Sequence, residues 1–229
     1  MEFKNTEVWG FKHALRGMRN PKDSWNKSDS EYWLPNKFMK ENVCGEDIEW
    51  TPYHIGKNDM RLAQTLTKAG NEHCKFMRMI HVSVDVDMPR YWHSEADTYH
   101  FNTKNSCSTM HKLLNRNTPI TLDLFVTCEE DIDIAQIVVE RLEQLRQEYK
   151  TIQSSTKDNK KMNRLLLRAK RILMEGFLQM RTWDTNYAEI RNMYFQRRHH
   201  RLEEEWVNIF CKWVESLPYA KELIMYEGE

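Results

Sequence analysis

Between Phe76 and Met88, Ile80, Val82, Val84 and Val86 alternate with His81, Ser83, Asp85 and Asp87. That period of two predicts a strand with one core face and one polar face. Pro89 follows, and its missing N–H and fixed φ suit the first turn of a helix, expected from Arg90 to about His100. Residues Asn102 to Thr109 hold too many Asn, Ser and Thr side chains for a helix interior, since these compete for backbone hydrogen bonds. They predict a polar loop on a rigid base. A second strand is expected over Ile120–Val126, with Ile120, Leu122, Leu124 and Val126 on one face.

Upstream, Asn58 as cap, Met60, Leu62, Ala63 and Leu66 as the apolar face and Gly70 as the stop predict a helix. From Thr127 onward the period changes to 3.6. Thr127 and Glu130 have capping-box spacing ahead of a helix carrying Ile134, Val138, Leu142, Leu145 and Tyr149. The polar run SSTKDNKK breaks it, and helices over Met162–Met174 and from Tyr187 to about Leu202 follow, the latter capped by Asp184 or Thr185. A last helix is expected from about Glu203 to Ser216, ending before Leu217-Pro218. No internal repeat is visible. Residues 1–55, rich in Trp, Asn, Asp, Ser and Lys, read as an irregular N-terminal extension to a domain over 56–229.

Composition narrows the function classes. The 229 residues are 40% hydrophobic with only seven Gly and six Pro, enough to bury a sizeable core in an α/β or α+β chain. Lys plus Arg equals Asp plus Glu at 34 each, so no global field draws the chain to nucleic acid or an anionic membrane, and an anion must be bound by a local cluster. The same neutrality gives little support to RNA binding through the Trp-rich N-terminus. No apolar run approaches the roughly 20 residues of a membrane span, and the start MEFKNTEVWGF lacks the regions of a signal peptide. A cytoplasmic protein is expected, with five reduced thiols at Cys44, Cys74, Cys107, Cys128 and Cys211, which include no CxxC. His100, Cys107 and His111 match no zinc spacing, so no metal site is expected.

The candidate chemistry lies in PRYWHSEADTYHFNTKNSCSTMH, residues 89–111. Ser106, Ser108 and Thr109 offer short donors for an anion cradle, Arg171 a charge for a phosphate, and Arg197 a fork suited to phosphate or pyrimidine carbonyls.

This stretch resembles the flavin-dependent thymidylate synthases (thymidylate synthase complementing proteins), whose signature is RHR, two residues, then SxNExSxRY. Laid over it, Thr98-Tyr99-His100 occupy the RHR positions, Thr103 the first Ser, Asn105 the Asn, Ser106 the Glu, Ser108 the second Ser and Met110-His111 the RY pair. Gly70-Asn71-Glu72-His73 stands where the family has Gly-x-x-His, and Asn186, Ala188, Asn192 and Arg197 fall on its Asn-x-Arg, polar and Arg positions. The resemblance covers about Gly56 to Arg198, and WxExDTY and NSCSTMHKL are similar to a divergent, phage-associated branch.

The resemblance implies a small antiparallel sheet flanked by long helices, a homotetramer with sites between subunits, and methylation of dUMP to dTMP with FAD, NADPH and methylene-tetrahydrofolate. A bacterial or phage-infected cytoplasm is the implied location. It gives Ser108 and Arg197 catalytic roles. Glu95, Asn105, Ser106, Ser108, Arg171 and Arg197 would bind the pyrimidine deoxynucleotide, and His73, Lys75, Thr98, His100, Asn186 and Asn192 the flavin. Arg90, Lys104 and Lys112 are the nearby cations that would replace the family's arginines. A related pyrimidine modification, a nucleotide-binding relative without FAD, and a structural relative stay open beside the synthase.

Overall fold

The computed structural model describes residues 1–33, 39–43, 46–50 and 52–228; Cys44, one of the five thiols, lies outside them. In chain order the larger elements are β1 (Glu2–Trp9), α1 (Phe11–Arg19), β2 (Glu31–Tyr32), β3 (Met39–Val43), β4 (Glu46–Trp50), β5 (Tyr53–His54) and α2 (Lys57–Lys68). There follow β6 (His81–Pro89), α3 (Arg90–Ala96), β7 (Thr103–Ser106), α4 (Thr109–Lys112), α5 (Ile132–Ser154), α6 (Asn159–Ile172), β8 (Leu178–Asn186) and α7 (Tyr187–Arg197). A π-helical turn over Glu203–Cys211 leads into α8 (Lys212–Ser216), and a second covers Ala220–Ile224. The chain forms two compact units: residues 1–86, 98–105 and 182–229, and residues 87–97 and 106–181. Among the described residues no helix is long and apolar enough to cross a membrane.

The first unit is built on the sheet β3-β4-β1-β6-β8-β7. Alternation in β6 does what its pattern predicts: Val82, Val84 and Val86 are buried, while Ser83 and Asp85 stay partly exposed. The polar face is tied across strands, Asp85 accepting from Asn5 Nδ2 at 2.8 Å and Thr182 Oγ1 at 2.5 Å, and Asp184 from Ser83 Oγ at 3.0 Å. Residues 2–9 correct the expectation of an irregular N-terminus. They form β1 inside the sheet, with Phe3 stacked on Trp213 at 4.5 Å and Thr6 Oγ1 accepting from the Trp213 indole at 3.0 Å. Nor is the sheet small and purely antiparallel: it has six strands, and β1 pairs with β4 in parallel.

Residue Asn58 does not cap α2. Gly56 holds the cap position, and Asp29 accepts from the N–H groups of Asn58 (2.9 Å) and Asp59 (3.1 Å). Burial raises the Asp29 pKa, but those backbone donors outweigh it and hold the carboxyl below its usual value. Beneath this cap Asp59, fully buried, accepts from Arg19 Nε at 2.5 Å and from Ser28 and Ser30. The Arg19 guanidinium also donates to the carbonyls of Ser24 and Lys27, so one buried ion pair fixes the path of residues 24–30.

The second unit has its own core, in which Leu142 and Leu145 of α5 and Leu165, Leu166 and Ala169 of α6 pack on Leu113, Leu114, Ile120 and Phe125. The predicted stripe on α5 is displaced by one residue at its N-terminal end. Ala135 and Val139 are buried, and Ile134 is exposed. Thr127 and Glu130 form no cap; a 3₁₀ turn over Glu129–Asp131 precedes the helix. The strand expected over 120–126 is a 3₁₀ turn at Leu122–Leu124 with a single bridge from Phe125 to Phe177. Beside that bridge the Val126 N–H donates to the Gly176 carbonyl at 2.8 Å, and a Cβ at Gly176 would stand 2.2 Å from the Val126 carbonyl oxygen, so this close approach requires glycine.

Candidate functional site

The polar stretch after α3 contributes to a cavity of about 500 Å³ inside the second unit. Its backbone is fixed at Cys107, whose N–H donates to the Met180 carbonyl at 2.8 Å and whose carbonyl accepts from Gln179 Nε2 at 2.8 Å. Ser108 and Thr109 then line the cavity at the start of α4, with Lys112 one turn on and Arg116 beyond it. Leu113, Leu124, Phe177 and Met180 supply an apolar wall, and Asp87, Asp123 and Gln179 further polar groups. Two cations and hydroxyls as donors, carboxylates as acceptors and an apolar wall form a lining suited to a flat ring bearing an anionic group.

Local contacts hold this wall. Lys170 Nζ donates to Thr109 Oγ1 at 2.6 Å, and burial, helped by the nearby Arg90 charge, lowers the lysine's pKa. Arg116 donates to Thr118 Oγ1 at 3.1 Å; burial and the Arg146 guanidinium lower its pKa, opposed by Asp123 and Glu143. Behind it Glu143 receives two hydrogen bonds from Arg146 at 2.7 Å and one from the Ile120 N–H at 2.8 Å, while Arg146 donates to the Arg116 carbonyl. Above all the Arg146 contact, opposed by burial and aided by the Ile120 N–H, pulls Glu143 down from 4.5 to about 2.

A pH dependence follows. A carboxyl whose pKa is lower folded than unfolded stabilises the fold above its unfolded value, and that stability is lost as pH falls through the folded one. The Glu143 contribution is therefore expected to be full above about 4.5 and to disappear towards about 2. Acid titration of thermal stability should show this loss in the native chain and a reduced one in Glu143→Gln. An unchanged acid limb in the variant would refute the assignment.

The first unit gathers a second group of predicted residues. Asn186 and Asn192 line a cleft of about 170 Å³ with Asn71, Arg78, Phe101 and Glu189. Asn186 is also the N-cap of α7, accepting from the Glu189 N–H at 3.1 Å, the role that the sequence pattern assigned to Asp184 or Thr185. The Phe101 ring is 63% exposed and has the Arg78 guanidinium 5.4 Å from its centroid. His73 and Lys75 instead line a separate groove with α1 and α2.

The remaining candidates are scattered. Thr98 and His100 are exposed, and Tyr99 between them is buried. Arg197 donates to Tyr99 Oη at 2.9 Å, contacts His200 at 2.8 Å and stacks on Trp206 at 4.6 Å, so its fork is engaged inside the unit. Asn105 and Ser106 are exposed in β7, Glu95 is half-buried in α3, and Arg171 is exposed at the end of α6; none of these four lines the 500 Å³ cavity. Of the three substitute cations, Arg90 pairs with Glu175 at 3.1 Å, Lys104 sits 4.9 Å from the Trp183 ring, and Lys112 lines the cavity. Arg116, Asp123 and the β8 residues of the wall escape sequence reasoning. The alternation of Leu178, Met180 and Thr182 with Gln179, Arg181 and Trp183 was the signal for that strand.

No family profile and no curated protein matches the sequence. Solved structures do. The flavin-dependent thymidylate synthase ThyX from Helicobacter pylori, complexed with FAD and dUMP, superposes with a TM-score of 0.65 at 15% identity, covering 99% of this chain and 98% of that one. A second structure of the same enzyme with FAD and dUMP gives 0.66 at 16% identity, covering 99% and 97%. At such identities the likeness is one of fold, and residues 1–55 are included in it: this chain has the mixed α/β fold of ThyX over almost its whole length.

Proposed function

We propose that this chain binds a pyrimidine deoxynucleotide in the cavity of its second unit and acts as a flavin-dependent thymidylate synthase-like enzyme, methylating dUMP to dTMP with methylene-tetrahydrofolate and NADPH. The cavity carries this reading. Lys112 and Arg116 suit a phosphate, Ser108 and Thr109 add hydroxyl donors, Asp87 and Asp123 suit sugar hydroxyls or ring N–H, and the apolar wall suits the base. The ThyX-like fold supports it, because the solved ThyX structures hold dUMP and FAD. A homotetramer with shared sites, in the cytoplasm, belongs to the same reading.

Toward FAD, the residues of the 170 Å³ cleft fit one end of the molecule. Phe101 offers an exposed ring for stacking, Arg78 a charge for a phosphate, and Asn71 and Asn192 amides for a ring edge. These side chains would hold it, with Asn186 fixing the start of the helix that carries Asn192. When bound, the flavin supplies the hydride chemistry, and the protein's part is to position and to screen from water.

A second reading, a nucleotide-binding relative without FAD, is favoured by Arg197, which the resemblance assigns to the pyrimidine but which Tyr99, His200 and Trp206 already engage. Titration with dUMP and the visible spectrum of the purified protein separate the two. Saturable dUMP binding and a co-eluting flavin band perturbed by dUMP are expected. Binding without flavin would leave the second reading, and absence of both would overturn the proposal.

A further inference from the structure

Gln179 of β8 lines the 500 Å³ cavity with Phe177 and Met180, outside the phosphate and sugar contacts proposed above. Both ends of this residue are held. Its main-chain carbonyl accepts from Nε2 of His93, a side chain with no exposed surface, at 2.8 Å. Its side-chain Nε2 donates to the Cys107 carbonyl at 2.8 Å, and the Cys107 N–H donates in turn to the Met180 carbonyl. All four residues belong to the same compact unit.

The Cys107 contact decides which way the amide points. A carbonyl oxygen only accepts, so the amide nitrogen must face it, and exchanging Oε1 with Nε2 by rotation would set two acceptors against each other. Nε2 keeps a second hydrogen, and among the described residues no donor reaches Oε1. The half-buried amide therefore offers the cavity one donor and one acceptor in a fixed order.

Pyrimidine bases differ in these same features. Uracil presents its N3–H donor between two acceptors, O2 and O4, whereas cytosine presents N3 as an acceptor beside the N4 amino donor. A donor and acceptor in fixed order match uracil in either direction along this edge, through O4 or through O2. They match cytosine in one direction alone, and in the other set donor against donor and acceptor against acceptor. A site built in this way rejects the wrong base because its own polar groups would be left unpaired.

From this we infer that Gln179 selects uracil over cytosine. Its Oε1 accepts from N3–H, its remaining Nε2 hydrogen donates to O4 or O2, and the Cys107 carbonyl prevents the flip that would admit cytosine. The inference rests on the proposed binding of a pyrimidine deoxynucleotide in this cavity.

Titration of the full chain with dUMP, dTMP and dCMP tests it, in native protein, Gln179→Met and Gln179→Glu. Native protein is expected to bind dUMP at least about 10-fold more tightly than dCMP. Gln179→Met keeps the length of the side chain without its polar groups, and should weaken dUMP and dTMP by about 10- to 100-fold while leaving dCMP nearly unchanged. Gln179→Glu should bring dUMP and dCMP together or reverse their order, because a carboxylate accepts from the N4 amino group and repels O4. Equal native affinities for dUMP and dCMP would overturn the inference. Losses shared equally by the two would also overturn it, marking Gln179 as a support of the cavity wall. dUMP binding that neither variant changes would overturn it and leave the proposed function standing, whereas no dUMP binding by the native chain would refute that function and this inference with it.

Discussion

Replacing Asp59 with Ala is expected to destabilise the protein by about 3–5 kcal/mol, a large part of the 5–15 kcal/mol that typically holds a domain together. The side chain is fully buried and accepts from Arg19, Ser28 and Ser30. Its removal leaves a guanidinium, only 5% exposed, without its counter-charge, and two hydroxyls without their acceptor. The cost is that of an uncompensated buried charge rather than the net worth of the pair, so Arg19→Met/Asp59→Leu should recover much of it. Urea denaturation gives the comparison. A single-variant loss below about 1 kcal/mol would show that the pair is not sealed from water. The same variant should loosen the loop over residues 24–30, because Arg19 would no longer be oriented towards the carbonyls of Ser24 and Lys27.

The sequence made this pair hard to see. Arg19 and Asp59 are 40 positions apart, and each lies in a stretch whose composition reads as solvated turns or helix. The elements that were legible share one property: a long, regular alternation or stripe set by burial, as in β6 and α6. Misread elements are those in which tertiary contacts override local pattern. Ile120–Val126 alternates well enough for a strand, yet Leu122–Leu124 closes into a 3₁₀ turn packed against the second unit's core, and only Phe125 forms a bridge. β1 was hidden because EFKNTEVW carries charges on its outer face and is recognisable as a strand only once Phe3, Thr6 and Val8 are seen to be buried.

Site residues divide in the same way. Ser108 and Lys112, one helical turn apart, share one cavity, whereas Asn105 and Ser106 in β7 do not line it. Those linked by family spacing do not all meet: Asn186 and Asn192 line one cleft, His73 and Lys75 a different groove, and Arg197 is taken up by aromatic neighbours. Arg171 is the cation that the sequence offers for a phosphate, but the one that reaches the hydroxyl of Thr109 is its neighbour Lys170. One residue is a rotation of about 100° on a helix, enough to exchange an inward for an outward side chain.

Arg116→Gln is expected to weaken dUMP binding by about 10- to 100-fold while leaving deoxyuridine nearly unaffected. In the proposed reading the charge of Arg116 would meet the phosphate, and the apolar wall of Leu124, Phe177 and Met180, with Asp87, would meet the base and sugar. Glutamine keeps a donor for Thr118 Oγ1, and the Arg116 carbonyl that accepts from Arg146 is untouched, so the wall should keep its shape. Lys112→Gln removes the other cation and should act in the same direction, with a smaller effect because that side chain is more exposed and its charge more screened. The two losses should shrink together as salt rises. A fall in both dUMP and deoxyuridine affinity would mean that Arg116 supports the wall rather than the phosphate. No change in either would place the nucleotide outside this cavity.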